Sequence, residues 1–216
     1  METKKRIGVL CHGRHLQTKN WEKLMWGIPP DLLGQLPKTV LVALEEKAEV
    51  IVFGTGASER DGKKEAEFIR DYLLEHFFEL AEFPSFQGID LEKARKRIER
   101  ISMLELYSQN TAEEVKFAGQ IFKKAGMERI ILVSSFTHIS RYLRDAYVAF
   151  SRDENLKHFT KNLWATPSQT GWADASEVVI IEPPHRGDKP VRNFILFLLN
   201  ALFKRIYQFP KAVQSK

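Results

Sequence analysis

The sequence predicts an α/β sandwich with a mostly parallel central sheet. Five short hydrophobic segments are continuous aliphatic runs, which is typical of strands that are covered on both faces. Amphipathic helical segments lie between them, and strands that alternate with helices favour a parallel sheet. The 216 residues contain no internal repeat and no change of composition that would mark a linker. We therefore expect a single domain over residues 1–216.

The predicted elements alternate along the chain as this fold class requires. Strands are predicted at residues 6–11, 49–53, 103–106, 129–134 and 177–182. Helices are predicted at residues 39–47, 63–78, 91–101, 111–124, 138–150 and 191–207. Two stretches, residues 21–37 and 151–176, are predicted to be irregular. The first contains prolines and two tryptophans, so it is either a flap over a site or a packed excursion.

Charge and cysteine content restrict the classes of partner. The net charge of +5, from 33 basic and 28 acidic residues, is a modest excess that favours a small anionic ligand. We expect no nucleic-acid partner, because proteins that bind nucleic acids concentrate their positive charge more strongly. The single cysteine, Cys11, excludes an intrachain disulfide.

Hydrophobic patterning predicts a cytoplasmic protein. Residues 1–14 lack the apolar core of a signal peptide, and no apolar run is long enough to cross a bilayer. Residues 191–207 have the spacing of an amphipathic helix. We expect this helix to pack against the fold, with contact to a membrane surface as the less favoured alternative.

Polar residues follow every predicted strand, at the edge where open parallel sheets bind ligands. These segments are residues 11–14, 54–58, 107–111, 134–141 and 183–188. If the strands are neighbours, the segments meet at one edge of the sheet. The first contributes His12 and Arg14, and the last contributes His185 and Arg186.

The loop after the second strand, Gly54-Thr55-Gly56, could bring backbone amides close to an anion. It has neither the P-loop ending nor the spacing of a dinucleotide-binding fingerprint, so a tight strand-to-helix turn is the alternative. Glu65 follows early in the next helix, where an acidic side chain is also favourable for electrostatic reasons alone.

A capping box is predicted at the start of the next helix. Thr111 would cap the helix, and Glu114 would reach back to it. That motif does not account for Ser108 and Asn110, which come directly before the helix and could orient a ligand.

The fourth strand runs into the densest polar segment. Ser134 and Ser135 end the strand, and His138 and Arg141 share one face of the following helix at its first turn. Arginine offers a planar fork for phosphate or carboxylate, and histidine transfers protons near neutral pH. The alternative is a helix start with a packed histidine and a surface arginine.

Metal and serine-nucleophile chemistry are less favoured by the spacing of the residues. Neither HxH nor HExxH is present, so no metal ligands are assigned. GxSxG is also absent, although Ser134 or Ser135 could still lie beside His138.

Three ordered motifs within residues 49–145 resemble those of the SanA/ElyC/YdcF-like family. The first is Gly54-Thr55-Gly56 followed by Glu65-Ala66, and the second is Glu105, Ser108, Asn110, Thr111 and Glu114. The third is Val133-Ser134-Ser135, His138 and Arg141, with Ser134 where the family has threonine. The resemblance implies a Rossmann-like three-layer fold, a link to cell-envelope metabolism, and a nucleotide-like ligand such as S-adenosylmethionine.

The combined hypothesis is an anion-binding pocket at the carboxyl edge of the sheet. Its ligand would be a phosphorylated or nucleotide-like small molecule, and its reaction a hydrolysis or a transfer. The alternative is a non-catalytic ligand-binding or sensor module. The predicted catalytic residues are His138, Glu65 and Ser134. The predicted ligand-binding residues are Gly54, Thr55, Gly56, Ser108, Asn110, Thr111, Ser135, Arg141, His12 and Arg14.

Overall fold

The computed structural model describes residues 5–171. The strands are β1 (Ile7–Cys11), β2 (Gly27–Ile28), β3 (Leu32–Leu33), β4 (Val50–Phe53), β5 (Glu59–Arg60), β6 (Lys63–Lys64), β7 (Ser102–Leu104), β8 (Arg129–Ser134) and β9 (Leu163–Pro167). The helices are α1 (Trp21–Met25), α2 (Gln35–Glu45), α3 (Glu65–Glu75), α4 (Leu91–Ile101), α5 (Thr111–Lys124) and α6 (Ile139–Arg152). Short 3₁₀ helices span Phe77–Glu82, Pro84–Phe86 and Lys157–Asn162.

Five strands form the central sheet in the order β7–β4–β1–β8–β9. Every neighbouring pair in this sheet is parallel. The other four strands form two short antiparallel hairpins, β2–β3 and β5–β6. The prediction of an α/β fold with a mostly parallel sheet is therefore confirmed.

Helices cover both faces of the sheet, which gives the three layers of a Rossmann-like sandwich. Side chains of α2, α3 and α4 pack on one face, and those of α5 and α6 pack on the other. Along β1, Val9 and Cys11 face the first set of helices, and Leu10 faces the second. Since both faces are buried, the strand needs hydrophobic residues at successive positions rather than at alternate ones.

Three predicted boundaries were wrong. The stretch 151–176 is not irregular throughout, because Leu163–Pro167 forms the edge strand β9. Helix α2 begins at Gln35, ahead of the predicted residue 39, because Pro37 is tolerated in a first turn whose amides need no intrahelical partner. Helix α3 covers only Glu65–Glu75, since Lys63 and Lys64 belong to a hairpin and a 3₁₀ helix follows His76.

Residues 21–37 form a packed excursion, and they also provide part of a cleft wall. Trp21 and Trp26 are buried in the core cluster on the α2 side. The hairpin β2–β3 connects α1 to α2. Of the two predicted alternatives, a flap or a packed excursion, this region is therefore the packed excursion, and it also borders the cleft.

Several predictions fall outside the described residues. They concern the strand at residues 177–182, the helix at residues 191–207, and His185 and Arg186. Within residues 5–171, no helix combines the length and hydrophobicity needed to cross a bilayer.

Candidate functional site

A cleft lies at the carboxyl edge of the sheet, where the strand order reverses. The chain passes from β1 outward to β4 and β7, and then returns to β8 on the other side of β1. The helix after β1 packs on one face of the sheet, and the helix after β8 packs on the other. Such a reversal opens a crevice at the ends of the two central strands. The cleft here has a volume of about 240 Å³.

Most of the residues predicted from strand ends meet in this cleft. Those in its lining are His12, Arg14, Thr55, Glu65, Asn110, Thr111, Ser135 and His138. The cleft is also lined by Gly13, His15, Leu24, Met25, Gln35 and Ala57. The predicted residues outside this lining are Gly54, Gly56, Ser108, Ser134 and Arg141.

His12 is oriented by a buried carboxylate. Its Nδ1 lies 2.6 Å from Oε2 of Glu114, a side chain with no solvent exposure. The other carboxylate oxygen, Oε1, accepts the backbone N–H of Gly13 at 3.1 Å. Gln35 also donates to the carbonyl oxygen of His12. Because these bonds fix both the ring and its backbone, the imidazole has a single defined orientation.

Glu114 reaches the cleft because the helix cap lies one residue earlier than predicted. Asn110, and not Thr111, caps α5, since its Oδ1 accepts the N–H of Glu113 at 3.0 Å. Glu113 then reaches back to the N–H of Gln109 at 2.8 Å. The predicted capping box of Thr111 and Glu114 was therefore wrong. Because the cap lies at Asn110, Glu114 does not take part in it and bonds to His12 instead.

Glu65 is the second buried carboxyl group of the cleft. It is the first residue of α3, only 2% exposed, and it accepts hydrogen bonds from the hydroxyls of Ser58 and Thr55. Burial raises the pKa of Glu65 from 4.5 to about 7; the Ser58 bond opposes this shift, and the negative charge of Glu114 adds to it. Glu65 is therefore partly protonated at neutral pH.

His138 lies against His12 and close to positive charge. The two imidazole rings are stacked, with centroids 4.6 Å apart and planes inclined by 8°. Burial lowers the pKa of His138 from 6.5 to about 3, and the charges of His12, Arg141, Arg14 and Arg144 add to this effect. Its buried Nδ1 has no hydrogen-bond partner within the described chain. His138 is therefore neutral near pH 7.

Arg141 lies beside the cleft rather than within it. Its side chain is 63% exposed, and its Nε is 3.6 Å from a carboxylate oxygen of Asp145. The positive charge of Arg141 nevertheless helps to lower the pKa of His138. The long guanidinium side chain can still contact a ligand that projects from the mouth of the cleft.

The amides of the loop Gly54-Thr55-Gly56 were predicted to bind an anion, but in the structure two of them bond to the backbone. The N–H of Gly54 donates to the carbonyl of Cys11, and the N–H of Gly56 donates to the carbonyl of Ser108. A side chain at Gly56 would lie 2.1 Å from the carbonyl oxygen of Leu106. These two amides are thus already engaged, so their predicted use as anion donors is not supported by the geometry.

Two predicted polar side chains lie behind the cleft wall. Ser108 is buried and bonded to Glu105, whose carboxylate also accepts the N–H groups of Tyr107 and Ser108. Ser134 is fully buried, and its hydroxyl has no partner among the described residues. Glu105 thus shapes the loop after β7, and Ser134 is not among the residues that line the cleft.

Gly13→Ala is expected to destabilise the protein by about 2 kcal/mol, since overpacking of a tight site typically costs about 1–3 kcal/mol. An added Cβ would lie 2.1 Å from Oε1 of Glu65 and 2.6 Å from the backbone oxygen of Gly54. Urea denaturation would measure the loss. Gly88→Ala measures the separate cost of a left-handed backbone, because φ there is +79° and nothing lies within 4 Å. A Gly13→Ala loss below about 1 kcal/mol would contradict the tight packing.

Sequence reasoning missed Gln35 and the bond between Glu114 and His12. Gln35 lies in the stretch predicted to be irregular, so no pattern marked it as part of the site. Glu114 was predicted as a cap and as part of the second motif, and only its burial in the first turn of α5 points to a further role. Within the described part of the chain, no group of three or more His, Cys, Asp or Glu residues is arranged to hold a metal ion.

Comparisons with protein-family models, curated proteins and solved structures find no significant match to this chain. The resemblance to the SanA/ElyC/YdcF-like family therefore stays a prediction from its motifs. The function has to be argued from the cleft itself.

Proposed function

We propose that the protein is an enzyme that binds a phosphorylated small molecule in this cleft and hydrolyses or transfers its phosphoryl group. One observation carries the proposal: His12, oriented by its bond to Glu114, lines the same cleft as Glu65 and Arg14. Acid–base catalysis needs one group ready to accept a proton and another ready to donate one.

The positive charges support an anionic substrate. Arg14 lines the cleft, and the charges of Arg141 and Arg144 reach His138 at its edge. A guanidinium group binds two oxygens of a phosphate at once, with strong charge-assisted hydrogen bonds. The first turn of α6 adds backbone amides and the positive end of the helix dipole at the same place. We therefore place the phosphoryl group on the α6 side of the cleft.

The two proton-transfer groups have separate roles in the proposal. Because Nδ1 of His12 is bonded to Glu114, Nε2 is the ring nitrogen that can take a proton from the attacking hydroxyl or water. Glu65, with a pKa of about 7, can give its proton to the leaving oxygen. His138, with a pKa of about 3, is a weak base, so we assign the proton transfer that was predicted for it to His12.

Turnover of phosphate esters by the wild type and by His12→Asn tests the proposal. The substrates would be p-nitrophenyl phosphate, sugar phosphates and nucleotides. We expect His12→Asn to lower kcat/KM by about 100-fold or more, since proton transfer by a positioned group contributes that much. His76→Asn is the matched control, because His76 also pairs with a glutamate, Glu79 at 2.8 Å, but outside the cleft.

The same experiment separates the enzyme from a non-catalytic binding module. Binding of a phosphorylated ligand without turnover, seen as a thermal shift, would favour the module. No binding and no turnover with any of these compounds would exclude both. Equal losses in His12→Asn and His76→Asn would show that His12 has no special role.

A further inference from the structure

We infer that the cleft takes a small sugar or polyol phosphate and excludes nucleotides. This inference rests on the proposed function, because it narrows the substrate class of the same cleft. It follows from the size of the cleft, the lack of Phe, Tyr and Trp side chains in its described lining, and the distribution of polar and charged groups.

The cleft is small. Its volume of about 240 Å³ is below the range of roughly 300–1,000 Å³ typical of sites for larger ligands. Leu24 and Met25 of α1 form part of its lining, and both are almost completely buried. Since these side chains also belong to or touch the packed core, the wall that they form has little room to move.

The described lining offers no Phe, Tyr or Trp ring on which a nucleobase could stack, and Arg14, its one guanidinium group, is assigned to the phosphate in the proposed function. Proteins bind bases chiefly by stacking them on aromatic rings or guanidinium planes. No Phe, Tyr or Trp side chain is among the described residues that line the cleft. The imidazoles of His12 and His138 stack on each other, so their facing sides are already used.

The polar lining suits hydroxyl groups instead. The hydroxyl of Thr55 already donates to Glu65. Thr111 and Ser135 bring hydroxyls to the cleft, and Asn110 brings the NH₂ of its amide, since its Oδ1 caps α5. Such groups fix the orientation of a ligand that carries several donors and acceptors of its own. A sugar or polyol has this chemistry over its whole surface.

The charges define which way the ligand lies. Glu65 follows β4 on one side of β1, whereas His138 and its neighbouring arginines follow β8 on the other side. A phosphate on the β8 side would direct the hydroxyl-bearing part toward Glu65. The bridging oxygen between the two parts would then lie between Glu65 and the arginines, as the proposed proton transfer requires.

Ribose 5-phosphate and AMP form a matched pair of probes, because AMP is the same sugar phosphate with adenine attached. We expect ribose 5-phosphate to bind the wild-type protein at least tenfold more tightly than AMP in isothermal titration, and to be the better substrate. Equal or tighter binding of AMP would overturn the inference and leave the proposed function standing. If ribose 5-phosphate, AMP and inorganic phosphate all fail to bind, the proposed function fails with it.

Met25→Ala tests the size limit directly. Removal of this side chain enlarges the cleft, so the preference for ribose 5-phosphate over AMP should fall severalfold. Met127→Ala is the control, because Met127 is a buried methionine in the core on the opposite face of the sheet. A preference that is unchanged in Met25→Ala, or changed equally in Met127→Ala, would overturn the role of the α1 wall.

Discussion

Glu65→Gln is expected to lower turnover by about 10²–10⁴-fold, the usual contribution of a general acid or base. The same substitution should raise the free energy of unfolding at pH 8 by up to about 3 kcal/mol, from the size of the pKa shift. Both effects have one cause. Burial among Ser58, Thr55 and Glu114 makes the ionised carboxylate costly, and this cost keeps a proton available at neutral pH.

The sign of the stability effect follows from proton binding. The folded-state pKa of Glu65 is about 7 and the ordinary value is 4.5, so the folded protein holds a proton between these pH values that the unfolded chain has lost. The stabilisation that this bound proton provides is therefore complete below pH 4.5, falls as the pH rises, and is lost once the pH has passed about 7. Glutamine stays neutral at every pH and does not suffer this loss.

Urea denaturation at pH 4.5 and pH 8 would measure the difference. We expect Glu65→Gln to resemble the wild type at the lower pH and to exceed it at the higher one. Glu75→Gln is the control, since Glu75 is an exposed residue of the same helix. If Glu65→Gln is less stable than the wild type by the same amount at both pH values, the carboxyl group has only a structural role.

The sheet could be predicted from the sequence because its strands are buried on both faces. Continuous runs such as Val50–Phe53 have few other interpretations in a short segment between turns. Strand β9 was missed because Leu163–Pro167 contains tryptophan, threonine and proline instead of an aliphatic run. It joins the sheet by backbone pairing with β8, which no local pattern reveals.

The position of the site could also be predicted, because parallel neighbours bring their carboxyl ends to one edge. From three distant parts of the chain, His12, Thr55 and His138 were predicted to meet on this ground, and all three line the cleft. Their roles could not be predicted. The lowered pKa of His138 depends on burial and on arginines from two segments, and the orientation of His12 depends on the register of the cap on α5.

His138→Gln is expected to remove a large destabilising contribution that acid makes to the free energy of unfolding. Burial, His12 and three arginines hold the folded-state pKa of His138 at about 3, against an ordinary value of 6.5. Between these values the unfolded chain binds a proton that the folded protein excludes, so stability falls as the pH falls through this window. A shift of this size corresponds to about 5 kcal/mol, and glutamine would not contribute it.

Urea denaturation between pH 7 and pH 3.5 would detect the change, with His15→Gln as the control because His15 is an exposed histidine of the same cleft. The same dependence of stability on pH in the wild type and in His138→Gln would contradict the burial of a neutral imidazole. Between pH 4.5 and 6.5 the contributions of Glu65 and His138 have opposite signs and largely cancel in the wild type. Each single variant should expose the other contribution: Glu65→Gln should become less stable on acidification, and His138→Gln more stable. Parallel slopes in the two variants would show that the cleft does not bury both groups, and the choice of Glu65 as the acid and of His12 instead of His138 as the base would lose its physical basis.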